Sequence, residues 1–113
     1  IIGEGWHEFY GGPHAEVNAF ADCRADPAGA TLYVTLEPCS MCSGAIIGAR
    51  LTRLVYGAKD QKAGAVESVF KLFDERRVNH HTDVTAGVLE EDCLRMLRSF
   101  FVELRKSRGK SNG

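Results

Sequence analysis

A chain of 113 residues, 44% hydrophobic and 26% charged with a net charge of −1, has the size and composition of one globular domain. Its apolar runs fall short of the roughly 20 residues a membrane helix needs, and no stretch has the order of a secretory signal. Four cysteines (Cys23, Cys39, Cys42 and Cys93) in so apolar a chain point to a reducing, cytoplasmic setting, where a Cys-x-x-Cys pair serves metal or redox chemistry.

In chain order, "IIGEGW" (1–6) reads as the end of a strand and "EFYGGP" (8–13) as a loop whose proline precedes a helix. "HAEVNAFADCR" (14–24) is that helix, with Ala15, Val17, Ala19 and Phe20 as its buried positions. "TLYVTLE" (31–37), β-branched and aromatic, is expected to be a strand buried on both faces. After Pro38, "SMCSGAIIGARL" (40–51) is a helix of small and aliphatic residues, and "RLVYGA" (53–58) a second strand. "AVESVFKLFDERR" (65–77) has the period of an amphipathic helix, with Val66, Val69, Phe70 and Phe73 on one face. "HTDVTAG" (81–87) is a strand, and "EEDCLRMLRSFFVELRK" (90–106) is a helix with acids in its first turn and bases in its last. Strands alternating with helices predict an α/β domain with helices covering a central sheet.

Charge is uneven along the chain. Glu4, Glu8, Glu16, Asp22 and Asp26 face Arg24 alone near the start, whereas Arg95, Arg98, Arg105, Lys106, Arg108 and Lys110 face Glu103 alone near the end. Such a basic end either lies along a phosphate backbone or suits the negative end of its own helix.

Cys39 and Cys42 fall in the first turn of a helix, where the N-terminal dipole favours thiolate. Alone they fit a redox pair and a pair of zinc ligands equally well. His14 heads another helix after a Gly-Gly-Pro loop, so two helix N-termini can bring His14, Cys39 and Cys42 together. Three protein ligands leave a fourth tetrahedral position open, as in catalytic zinc sites. Cys23 and Cys93 are the candidates for a fourth ligand, but both read as small buried hydrophobes. Zinc lowers the pKa of water at its open position, and Glu16, two residues after the histidine, is placed to carry a proton from that water. His-x-Glu followed by Pro-Cys-x-x-Cys is the signature of the zinc nucleobase deaminases.

From residue 31 onward, "TLYVTLEPCSMCSGAII", "ARLTRLVYGAKDQKAGAVES", "NH" and "VTAGVLEEDCLRMLRSFFVELR" resemble the bacterial tRNA-specific adenosine deaminases. That resemblance implies a cytidine deaminase-like α/β/α sandwich around a mixed central sheet, with Zn2+ on His14, Cys39 and Cys42 and with Glu16 as the proton shuttle. It implies attack on C6 of a wobble-position adenosine in a tRNA anticodon stem-loop, a homodimer, and no membrane association. It places Asp60 and Lys62 in a loop beside the flipped nucleotide, Asn79, Phe100 and Phe101 near the nucleic-acid groove, and Arg105 and Lys106 on the basic helix. It also implies a first helix and strand that this chain, opening on Ile1-Ile2-Gly3, lacks; the expectation is a single deaminase domain over 1–113, incomplete at its N-terminus. The front end, "GEGWHEFYGGPHAEVNA", is more similar to the pyrimidine deaminase domain of riboflavin biosynthesis, with His7 where the tRNA enzymes carry asparagine to contact the nucleoside. The alternatives are thus a deaminase of a small pyrimidine nucleotide or free base and, in another class, a non-catalytic zinc or redox binding module.

Overall fold

The structure, a computed structural model, describes residues 1–8, 12–78 and 80–99. Three parallel strands, β1 (Thr31–Leu36), β2 (Arg53–Ala58) and β3 (Asp83–Thr85), form a sheet in the order β1-β2-β3. Helix α1 (Ala15–Ala21) precedes the sheet, α2 (Ser40–Gly48) crosses from β1 to β2, and residues 90–99 form α3. The α/β class expected from the alternation is the class observed.

Register separates the two faces of the sheet. Leu32 lies beside Leu54 and Val34 beside Tyr56. On that face Leu54 and Tyr56 join Ile46 of α2, Leu51 and Val66 in a core flanked by Phe20 of α1, Phe73 and Val84. On the other face a Cβ added at Gly57 would meet Cys93 Sγ of α3 at 2.4 Å, so the sulfur lies directly on the strand backbone. Helices therefore cover both faces of β2, whose residues from Leu54 to Ala58 are all buried. Truncating Leu54 to alanine opens the core at its centre and is expected to cost about 2–5 kcal/mol, read from urea unfolding.

β1 differs from its expectation. Its burial alternates, with Thr31, Tyr33 and Thr35 exposed and Tyr33 76% so. The reason is position: among the described residues β1 pairs with β2 alone, so it is an edge strand and not a central one. A groove of about 550 Å3 separates it from residues 1–5 and reaches Ala15 and Glu16. The opening segment pairs with no described strand either. Its polar groups go to the residues just after α1 instead: Glu4 N–H donates to Asp22 Oδ2 (2.9 Å), and Ile2 C=O accepts from Arg24 N–H (2.8 Å). Gly3 and Gly5 allow that approach, since a Cβ at Gly5 would stand 2.4 Å from Ala19 N.

Helix α2 stops at Gly48, before the expected Leu51, because Arg50 turns into the left-handed region (φ 59°). Arg50 N–H then donates to Ile47 C=O, and Leu51 N–H to Ile46 C=O, the paired bonds of a Schellman closure. The amphipathic helix expected over 65–77 does not form. Residues 65–69 make turns, and only a single 3-10 turn follows at Leu72–Asp74. Val66 is buried and Phe73 half-buried as expected, but Val69 and Phe70 are exposed. Glu37, just past the end of β1, takes the N–H groups of Val66, Glu67 and Ser68, which the first turn of a helix would leave free in any case. The chain then folds back, with both Val69 and Phe70 N–H on Gly64 C=O.

Candidate metal centre

Two helix starts converge beside the C-terminal end of β1. His14 is the N-cap residue of α1 and Cys39 that of α2; both have extended backbones, and neither side chain caps its helix. Their donor atoms are thus free of the usual N-cap task. Cys42 lies one turn into α2 and is fully buried. His14 Nδ1 stands 3.6 Å from Cys39 Sγ and 3.6 Å from Cys42 Sγ, and all three donors lie within 4.8 Å of one another. A tetrahedral zinc with ordinary Zn–N and Zn–S bonds spaces nitrogen and sulfur about 3.6 Å apart. The donor set therefore fits zinc in chemistry and in spacing. Burial falls from Cys42 through Cys39 to the exposed His14, so the centre is open on the histidine side.

Burial pushes the Cys42 thiol well above its ordinary range, and the neighbouring Glu16 and Cys39 add to the effect. A coordinated divalent cation would oppose this, because a thiol ligand is deprotonated outright. Glu16 is half-buried on the first turn of α1, two residues after His14. His7 is exposed, with its ring centroid 6.3 Å from that of His14. Neither Cys23 nor Cys93 joins the donor group: Cys23 is half-buried with its sulfur 3.5 Å from Ala19 C=O, and Cys93 packs on Gly57.

The remaining expected residues fare differently. Lys62 is exposed on the loop after β2. Asp60 serves that loop internally, its Oδ1 accepting from Lys62 N–H (3.0 Å) and Ala63 N–H (3.1 Å). Asn79, Phe100, Phe101, Arg105 and Lys106 lie outside the described residues. None of the metal donors lines the cavity of about 480 Å3 bounded by Lys59, Gln61, Ser68 and Lys71.

Sequence reasoning missed two residues that build the site. Asn18 donates through Nδ2 to Trp6 C=O (2.7 Å) and Pro13 C=O (3.5 Å), tying both flanks of the loop before His14 to α1. An asparagine inside a helix, where it competes with the backbone, was the available signal. Glu37 is 2% exposed with both oxygens engaged, and an acid directly before Pro38-Cys39 in an apolar strand was the signal there.

Comparison with known proteins bears on this centre. A tRNA-specific adenosine deaminase of Haemophilus influenzae is 44% identical over 117 residues, covering 96% of this chain and 68% of that relative. A solved tRNA deaminase, studied for A-to-I editing at the wobble position of transfer RNA, is 42% identical with a TM-score of 0.67, over 73% of this chain and 63% of its own. A diaminohydroxyphosphoribosylaminopyrimidine deaminase/reductase of Thermotoga maritima is 36% identical with a TM-score of 0.73, over 95% of this chain and 32% of its own. Against other tRNA-specific adenosine deaminases the chain spans as little as half of the relative's length. The profile of the MafB19-like deaminases matches residues 6–105, a span that holds all three metal donors and Glu16, and the chain belongs to that family.

Proposed function

We propose that this deaminase converts adenosine to inosine in the anticodon loop of a tRNA, with zinc held by His14, Cys39 and Cys42. The observation that carries the proposal is His14 Nδ1 standing 3.6 Å from both sulfurs, with Glu16 two residues on in the same helical turn, in a chain 44% identical to a tRNA-specific adenosine deaminase. Bound zinc supplies the Lewis acidity that makes water a nucleophile near neutral pH. Glu16 supplies the proton path. It takes one proton from the attacking water and gives it to N1 of the adenine, then carries the second, from the new C6 hydroxyl, to the departing amine, so that a C–N bond is exchanged for a C–O bond and ammonia leaves. A base cannot reach a metal centre while stacked, which favours a single-stranded loop as substrate. Exposed Lys62 offers a phosphate contact beside the loop that Asp60 organises.

A second reading, deamination of a small aminopyrimidine nucleotide, is supported by His7 beside His14 and by the Thermotoga maritima structure that matches 95% of the chain. The two readings separate when the zinc-loaded protein is given an adenosine-containing anticodon stem-loop and, separately, a ribosylated aminopyrimidine phosphate. Mass spectrometry then looks for the amine-to-carbonyl change. Inosine in the stem-loop, with turnover falling steeply as salt rises, is the expected result. Product from the pyrimidine alone would reject the tRNA reading and make His7 the determinant of choice.

A further inference from the structure

Glu37 stands immediately before Pro38-Cys39, yet its carboxylate is turned away from acid–base work. Oε2 accepts from the N–H groups of Val66 (3.0 Å), Glu67 (2.8 Å) and Ser68 (3.0 Å). Oε1 accepts from Asp60 N–H (3.1 Å) and from the Ser68 hydroxyl. All five donors are neutral and all belong to residues 60–68, so both oxygens are spent on one segment. The backbone reinforces the link: Glu37 N–H donates to Ala58 C=O, and Ala65 N–H to Pro38 C=O, each at 2.8 Å. Gly64 lets the carboxylate in, because a Cβ there would stand 2.4 Å from Glu37 Cδ and 2.6 Å from Asp60 C=O. Asp60 in turn receives Lys62 N–H and Ala63 N–H, so the order imposed at Glu37 passes to the exposed part of the loop.

We propose that Glu37 is a positioning residue which holds segment 60–68 in fixed relation to Cys39, so that the substrate-side loop and the metal centre behave as one rigid unit. The inference rests on the reading that Lys62 and its loop meet the substrate. Preorganisation of this kind lowers the ordering cost of binding and leaves the reacting groups untouched. A glutamine at this position presents an NH2 group to one set of N–H donors, so Glu37→Gln releases part of the segment while nearly preserving volume.

The test is Glu37→Gln, with Ser68→Ala as a milder variant that deletes only the hydroxyl bond. Three readouts apply: zinc content, amide hydrogen exchange over 60–68, and KM against kcat for the stem-loop. The expected result is faster exchange confined to that segment, full zinc content, and KM raised about tenfold with kcat held within about twofold. Ser68→Ala should move KM in the same direction by a smaller factor. Unchanged KM with a released segment would overturn the proposal, and so would loss of zinc or global unfolding in both variants, which would make Glu37 a scaffold residue only. If the unaltered protein turns over the aminopyrimidine and no stem-loop, the tRNA reading fails by itself, and the same KM-against-kcat split is then read on the pyrimidine.

Discussion

Replacing Glu16 with alanine lowers turnover by about 10²–10⁴-fold, the range over which a positioned proton-transfer group acts, and leaves zinc in place. The expectation follows from where the carboxylate sits. Glu16 is on the first turn of α1, two residues after His14, and does not belong to the three-donor group. Its loss removes the proton path but no metal ligand. Mass spectrometry of the product, beside zinc content by a chromophoric chelator, separates the two effects. A Glu16→Gln variant keeps the shape and removes the basicity, so it should be as inactive as Glu16→Ala. Equal activity of Glu16→Gln and the unaltered protein would remove Glu16 from the chemistry.

The second large effect is at His14. Of the three donors it is the exposed one, and it alone comes from α1, whereas both sulfurs come from the start of α2. His14→Ala therefore leaves a bare dithiol, and zinc affinity should fall by more than the 10–100-fold typical of losing a group that merely supports a ligand. Chelator competition reads this directly, and deaminase activity should vanish with the metal. Cys23→Ala is the matched control. Its sulfur lies outside the donor group, so zinc content and turnover should stay as in the unaltered chain. Loss of zinc in Cys23→Ala would mean that a fourth protein ligand closes the centre, the mark of a structural site.

The convergence of His14, Cys39 and Cys42 was legible because the parts of this candidate centre are local. His14 and Glu16 share one turn and Cys39 and Cys42 another, and each pair follows a proline that marks a helix start. The strands at 31–36 and 53–58 were legible for a similar reason, since β-branched and aromatic runs bounded by turns carry their own signal. The early end of α2 is local, set by Arg50, but the larger misreadings arise from distant partners. Periodicity at 65–77 is real, but the segment wraps the carboxylate of Glu37, 29 residues before Val66, and the Val69 and Phe70 N–H groups turn back to Gly64 C=O instead of continuing a helical ladder. The extended segment at 1–6 was read as a strand, and the residues that follow α1, not a neighbouring strand, receive its backbone. Apolar content at 31–36 suggested burial on both faces, whereas position in the sheet decides burial, and position is set by what else pairs. Asp60 shows the same limit at the level of one side chain: its carboxylate organises its own loop.

The outer side of β1 also bears on how the protein behaves in bulk. Thr31–Leu36, "TLYVTL", is six residues of strand-forming sequence with no charge and no proline, and among the described residues it has a partner on one side only. Strands of that kind are where sheets grow by addition of further strands, and natural proteins usually blunt them with lysine, proline or a bulge. Here the nearest charges are Arg53 across the pair from Thr31 and Glu37 beyond Leu36, and Glu37 is buried and committed. A charge set into this edge, at exposed Tyr33 for example, is expected to oppose strand addition at a position distant in role from the candidate metal donors.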